Sequence, residues 1–261
     1  MRMRWRDLLF AHWPVDVDIL RPLLPPALEI DTFDGRAFVG VVPFGMEDTA
    51  PRGLPGVTYL SVFPEVNLRT YVRIGDVGGV WFFSLDAGRR LAVEGARLGF
   101  HLPYFHARMA IEHDGDWIRY RSERHDRRGR PARLDVRYRP TGPVRPAEPG
   151  SLDAFLTDRL RLFAVDGRGG LTTTTIDHAA WPLRPAEAEF AVETLSAAQG
   201  IELTGPPVHL AFADRLDVVA WWPRHVSARG DRKPRAITRS SRSPDLEEWR
   251  RPGRCDARGD G

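Results

Sequence analysis

Four polar side chains crowd one ten-residue stretch, GFHLPYFHAR (99–108), where His101, Tyr104, His106 and Arg108 surround Pro103. A second group, Glu65, Asn67 and Arg69, falls at i, i+2 and i+4 of PEVNLRTYVRI (64–74). These residue types carry recognisable chemistry. A carboxylate, an imidazole or a phenol can move a proton, and an arginine can hold a carboxylate bidentately or neutralise a nearby acid.

The spacing places each group on one side of a strand, because successive strand side chains point to opposite faces. In an open sheet such a polar face meets solvent, whereas in a closed sheet it is the lumen; the spacing leaves both open. Tyr104, His106 and Arg108 alternate with Phe105, Ala107 and Met109, so the second set belongs to the core and the first to lumen or solvent. Among the first set Tyr104 stands out, since it follows the proline at a helix-to-strand corner. Trp81, Phe83 and Tyr104 suggest an aromatic lining. His12 beside Trp13 and His178 in IDHAAWP have the setting of hydrogen-bonded core histidines, with His12 kept as a candidate ligand contact.

Other chemistries find little support. His101 and His106 are five apart with no cysteine near them, so no metal site is expected. Ser84 lacks a G-x-S-x-G elbow, and GDVGG (75–79) has neither a P-loop nor a dinucleotide pattern. No cofactor is expected.

The elements that must position these residues can be read along the chain. Asp16 can cap a short helical turn, VDILRPLLP, and EIDTFDGRAFVGVVPF reads as two strands joined at Asp34-Gly35. TAPRGLPGVTYLS (49–61) reads as a Pro/Gly loop. The strand 64–74 alternates, with Val66, Leu68, Thr70, Val72 and Ile74 opposite the polar row. VWFFSL (80–85) is apolar on both faces and reads as a central strand. Residues 86–100 read as a helix capped by Asp86 and stopped at Gly99, with Leu91 and Leu98 on one side. A hairpin turning at Asp114-Gly115 and the strand ARLDVRYRP follow. After a Pro/Gly-rich connection (140–150) come a helix over 151–163 capped by Ser151 and further hairpins up to WWP (221–223). Many strands and few short helices, without regular alternation of the two, argue for an antiparallel α+β fold or a closed sheet.

Composition narrows the function further. The chain has 261 residues and a formal charge of +3. Ten of the 38 basic and six of the 35 acidic residues lie after residue 225, so residues 1–225 are near neutral and no nucleic-acid groove is expected. Residues 226–261, rich in Arg, Ser, Gly and Pro, read as a disordered basic tail appended to a single domain over 1–225. The only lysine is Lys233 and the only cysteine Cys255, both in that tail. The domain therefore has no side-chain amine for a Schiff base, no thiol nucleophile and no disulfide. No stretch approaches the length of a membrane span and no signal peptide opens the chain, so a cytoplasmic protein without membrane contact is expected. Assembly with further copies of itself stays open.

Several strings together carry a family resemblance: FAHWPVD (10–16), LRPLLPPALEIDTFDGRAFVGVVPF (20–44), FPEVNLRTYV (63–72), GVWFFSLDA (79–87), ARLGFHLPYFHARM (96–109), SLDAFLTDRLRLF (151–163), IDHAAWPL (176–183) and WWP (221–223). Their order from Phe10 to Pro223 resembles the bacterial DUF2071, or YqjF-like, family. That family is similar in fold to acetoacetate decarboxylase, which implies a cone-shaped, largely antiparallel β-barrel with an internal pocket. The resemblance also implies that the helix before residue 100 and the strand after it carry the pocket floor, and that Glu65 matches a pocket glutamate. On the local match around Pro103, Tyr104 stands where the decarboxylases hold their Schiff-base lysine, so amine-catalysed decarboxylation is not expected.

Two functions follow as expectations. One is an enzyme acting on a small carbonyl or carboxylate compound, with Glu65, Tyr104 and His101 at the chemistry and Arg69, Asn67, Trp81, His106, Arg108 and His12 around the ligand. The other is a non-catalytic barrel that binds a small apolar or weakly acidic molecule.

Overall fold

The structure, a computed structural model, describes residues 1–50 and 62–226; the loop expected over 49–61 is described only at its first two residues, which end a strand, and the rest of it and the expected tail from residue 227 lie outside the described residues. In chain order the elements are β1 (Arg2–Val15), α1 (Val17–Leu20), β2 (Glu29–Ile30), β3 (Ala37–Ala50), β4 (Phe63–Ile74), β5 (Val77–Ala87), α2 (Arg90–Phe100), β6 (Tyr104–Asp114), β7 (Trp117–Arg124), β8 (Arg133–Pro140), α3 (Leu152–Thr157), β9 (Arg161–Val165), β10 (Leu171–His178), β11 (Leu183–Glu193), β12 (His209–Ala220) and β13 (Arg224–His225). The fold is thus mostly sheet with a few short helices. No helix among the described residues is long and apolar enough to cross a membrane.

The strands pair in the order β13-β10-β9-β5-β6-β7-β8-β11-β12-β1-β3-β4-β2, and the additional β4–β5 pairing turns part of this order into a ring. Pairing is antiparallel throughout, except that β5 runs parallel to both β6 and β9. A further pairing of β10 with β12 closes a second circuit on the other side of the wall β12-β1-β3-β4-β5. This wall is the key to the molecule. Its two faces are both interior, so its strands bury both of their alternating rows.

On one face Leu9, Val39, Val41, Val66 and Leu68 pack against Ile118, Tyr120, Leu134 and Val136 from β7 and β8. On the other, Met3, Phe10, Val42, Phe44 and Met46 cluster with Ile176 and Trp181. Two irregularities keep the apolar rows in phase. β1 shifts register between Arg6 and Ala11, with Asp7 at φ 51°, so Met3 and Trp5 before the bulge and Leu8 and Phe10 after it reach the same side. In β5 one residue is gained opposite Leu68 and Arg69, so Leu85 and then Phe82 and Val80 point the same way.

Local expectations fared unevenly. Asp16 caps α1 through the Asp18 amide at 2.9 Å, and Ser151 caps α3 through the Ala154 amide at 3.2 Å. Asp34 and Gly35 form the expected turn, both with positive φ, but it closes only the bridge Phe33–Arg36, and β2 pairs with β4 instead of β3. The helix expected over 151–163 ends at Thr157, because Arg161–Val165 is claimed by pairing with β10. The helix expected over 86–100 begins at Arg90. Asp86 does not cap it; a bidentate contact with Arg124 on β7 at 2.7 and 3.1 Å uses that carboxylate instead. Leu91 and Leu98 do share one side of α2, but it is the outer side, and Val93 is the residue the helix buries.

Candidate functional site

The second face of the wall bounds a partly open cavity between β1, β3, β4 and β5 on one side and β9, β10 and α2 on the other. About 100 Å³ of it can hold the centre of a water molecule. One water needs on the order of 10–15 Å³ by that measure, so the space suits a small organic molecule. Its walls are mainly apolar, with Trp5, Phe10, Phe44, Phe82 and Leu162 among them. Into this setting β4 delivers Glu65, Asn67 and Arg69, all lining the cavity, while Val66, Leu68 and Thr70 turn to the opposite face. The polar row therefore faces a lumen, and the strand rise sets the Cα atoms at its two ends about 13 Å apart.

Glu65 sits at the end nearer α2. It is 3% exposed, and burial pushes its carboxyl up to about 8, partly offset by the Tyr104 hydroxyl, which donates to Oε2 at 3.1 Å. Burial, together with the neighbouring Glu65, in turn raises the Tyr104 phenol well above its ordinary value. At neutral pH this end of the cavity thus presents a protonated carboxylic acid and an un-ionised phenol. Both β4 and the start of β6 are needed for it, since Leu85 and Asp86 of β5 pair with Tyr104 and Phe105.

At the other end lies Arg69. Its Nη2 donates to the Leu156 carbonyl at 3.2 Å and its guanidinium carbon stands 5.2 Å from the Phe10 ring, but its Nε has no hydrogen-bond partner. No carboxylate among the described residues pairs with it. The side-chain oxygen of Asn67, buried between the two ends, also lacks a partner. A buried guanidinium Nε and a buried amide oxygen with open valences are costly unless a ligand or water meets them.

The remaining candidates go elsewhere. His101 is the left-handed cap of α2 at φ 56° and is exposed, outside the cavity. Trp81 packs with the core on the other face of the wall, because the bulge in β5 assigns the cavity side to Phe82. His106 and Arg108 lie past the cavity on β6; the His106 amide donates to Asp126 at 3.1 Å, and Arg108 is exposed beside an outer groove. His12 is fully buried and tied to two side chains, with its Nε2 2.7 Å from the Tyr71 hydroxyl and its Nδ1 2.9 Å from His209 Nδ1.

Arg159, Thr157 and His178 are among the lining residues that the sequence does not single out as contacts. Arg159, which pairs with Asp31 at 2.6 Å, and Thr157 come from the end of α3, whose expected helix obscured them. His178 also lines the cavity and donates from Nδ1 to the Ala179 carbonyl at 2.7 Å. Its neighbour Trp181 was the available signal, since the two rings meet at 5.0 Å.

Comparison with known proteins is consistent with this architecture. The profile of DUF2071, described as an uncharacterized conserved protein, matches residues 2–217. The uncharacterized protein YqjF of Bacillus subtilis (strain 168) is 46% identical over 221 residues, which cover 85% of this chain and 90% of that one. Among solved structures, acetoacetate decarboxylase of Legionella pneumophila superposes with a TM-score of 0.61 at 14% identity, covering 87% of this chain and 88% of that chain. The enduracididine biosynthesis enzyme MppR complexed with pyruvate superposes with a TM-score of 0.58 at 14% identity, covering 87% and 90%.

Proposed function

Because the chain belongs to the DUF2071 family and has the acetoacetate decarboxylase-like fold, we propose that its cavity takes a small carboxylate bearing a carbonyl group and transfers a proton to or from it. The observation that carries this reading is the division of one cavity-lining row: a neutral acid, Glu65, at one end and, at the other, Arg69, a cation with no carboxylate partner among the described residues. Arg69 holds the carboxylate. The Asn67 oxygen accepts from a hydroxyl or N–H of the ligand. Glu65, with Tyr104 bonded to it, meets the carbonyl oxygen.

A carboxyl group near 8 can serve in both directions at neutral pH. Protonated, it gives a hydrogen bond or a proton to the carbonyl oxygen; ionised, it takes a proton from the adjoining carbon. The apolar walls strengthen both interactions by keeping bulk water away. Schiff-base chemistry is outside the reach of these side chains, since no lysine lines the cavity. The solved neighbours support the substrate class at the level of fold alone, one of them having been solved with pyruvate.

The test is a panel of 2-oxo, 3-oxo and simple monocarboxylic acids, screened by calorimetry and by hydrogen–deuterium exchange at the carbon beside the carbonyl. Arg69→Met should weaken binding of every acid by roughly tenfold or more, and Glu65→Gln should abolish exchange while leaving binding. Wild type and both variants behaving alike across the panel would overturn the proposal. The mainly apolar lining favours a second reading, retention of a small weakly acidic ligand without turnover. Binding that depends on Arg69 without any exchange would select it.

A further inference from the structure

Beyond the far end of the cavity lies a chain of side chains that the proposed chemistry does not use. His12 is 0% exposed and His209 8%. His12 Nε2 is 2.7 Å from the Tyr71 hydroxyl, and Tyr71 donates its only proton to the Leu156 carbonyl at 2.7 Å. His12 Nε2 must therefore carry a proton. On the outer side His209 Nε2 stands 3.0 Å from Asp153 Oδ1, an acceptor, so that nitrogen is protonated too. Between the rings the two Nδ1 atoms face each other at 2.9 Å, a hydrogen bond that needs one proton and one lone pair. All three contacts are satisfied only when the two rings together hold three protons, one more than two neutral imidazoles carry.

That extra proton has two equivalent places in bonding terms. It can make His209 the imidazolium, donating to His12, or His12 the imidazolium, donating to His209. Passing between them breaks the N–H bond on one Nδ1 and makes it on the other, with the electron pair left behind on the donor ring and every other hydrogen bond unchanged. Electrostatics decides which ring holds it. Asp153, with its side chain 54% exposed, favours charge on His209. Burial, His209 itself and Arg69 all disfavour it on His12, whose pKa lies well below the ordinary value.

The path from Arg69 to His12 is short and open. His12, Gly40 and Arg69 are register partners across three adjacent strands, β1, β3 and β4. The middle position has no side chain, and a Cβ there would meet the His12 ring at 2.7 Å. The charged and titratable groups around the pair are Arg69 and Tyr71 on β4, Asp153 on α3 and, beyond Tyr71, Arg159, whose guanidinium carbon is 5.4 Å from the Tyr71 ring and which is paired with Asp31.

We propose that His12 and His209 share a single proton across their Nδ1 atoms, and that the charge at Arg69 sets which ring holds it, so that an anion reaching Arg69 is met by a proton brought one ring closer. The link to ligand binding rests on the reading of Arg69 as the anchor for an anion; the shared proton does not. His12 and His209 are positioning residues for that anchor: they do not line the cavity, and they act on the ligand through Arg69 and Tyr71.

The experiment is ring-nitrogen NMR on the full chain labelled with ¹⁵N-histidine, followed against pH. In the ligand-free wild type, wherever the pair holds three protons, the third should lie on His209 Nδ1 and not on His12 Nδ1. Arg69→Gln should move proton density onto His12 Nδ1 and carry the titration of the pair to higher pH, while Arg69→Lys, which keeps the charge, should restore the wild-type pattern. Asp153→Asn, at a partly exposed position, should move the titration to lower pH and serves where Arg69→Gln does not fold. Two rings that titrate independently of each other, or ring signals indifferent to both Arg69→Gln and Asp153→Asn, would overturn the inference. Saturating benzoate should reproduce the Arg69→Gln shift in wild type. Benzoate that leaves the rings unmoved when Arg69→Gln moves them counts against Arg69 as the anion's anchor, and so against the proposed function, while the shared proton stands.

Discussion

Glu65→Gln isolates the cost of ionising one buried carboxyl. In the folded chain this group titrates near 8 against an ordinary 4.5, because burial penalises its charged form. The folded state therefore binds the proton more tightly than the unfolded state, and between those two values stability falls as pH rises. The contribution is fully present below about 4.5 and gone above about 8. Linkage over that interval gives about 3 kcal/mol lost between pH 5 and pH 8 from this group alone. Glutamine keeps the shape and a donor and does not titrate. The stability difference between wild type and Glu65→Gln, measured by urea unfolding at several pH values, should therefore move by about 3 kcal/mol in favour of the variant from pH 5 to pH 8. Asp86, pushed up to about 6 mainly by burial, adds a slope of its own, but it is common to both proteins and cancels. Parallel stability curves over this range would refute the account of Glu65 as a desolvated acid and remove the basis for its proton chemistry.

Two further outcomes follow from the same geometry. Tyr104→Phe removes the one hydrogen bond that holds Glu65 down, so the Glu65 carboxyl signal in ¹³C NMR should titrate higher than in wild type; a lower midpoint would contradict the assigned donor. Arg124→Leu strands Asp86 in a site where both side chains are 0% exposed and should cost roughly 3–5 kcal/mol at neutral pH, easing on acidification as Asp86 is protonated; a loss below about 1 kcal/mol would show that the pair is not desolvated.

Much of the fold was legible because alternation is a local property. PEVNLRTYVRI could be divided into an apolar row and a polar row from sequence alone, and Asp16, Ser151 and the Asp34-Gly35 turn are signalled by residues within a few positions of the backbone they serve. The errors came where a distant strand competed for the same residues. Asp86 has the form of a helix cap, yet it was taken by Arg124, 38 positions away, and the helix started four residues later. The second half of the helix expected over 151–163 became β9 because β10 offered it a ladder. Trp81 and Phe82 exchanged faces through one inserted residue that no local pattern announces.

The sequence by itself determined which reagents the chain can bring: an acid, an amide and an arginine in one row, a phenol after Pro103, and neither lysine nor cysteine before the tail. Only the tertiary structure decided that this row faces a cavity instead of solvent, that His101 lies outside it, and that His12 meets His209 across 197 positions of chain. The physical reason is that a side chain's face follows from the two dihedral angles at its own residue, whereas enclosure, desolvation and a shared proton depend on pairings between β4 and β5, β10 and β12, and β1 and β12, which no single stretch encodes.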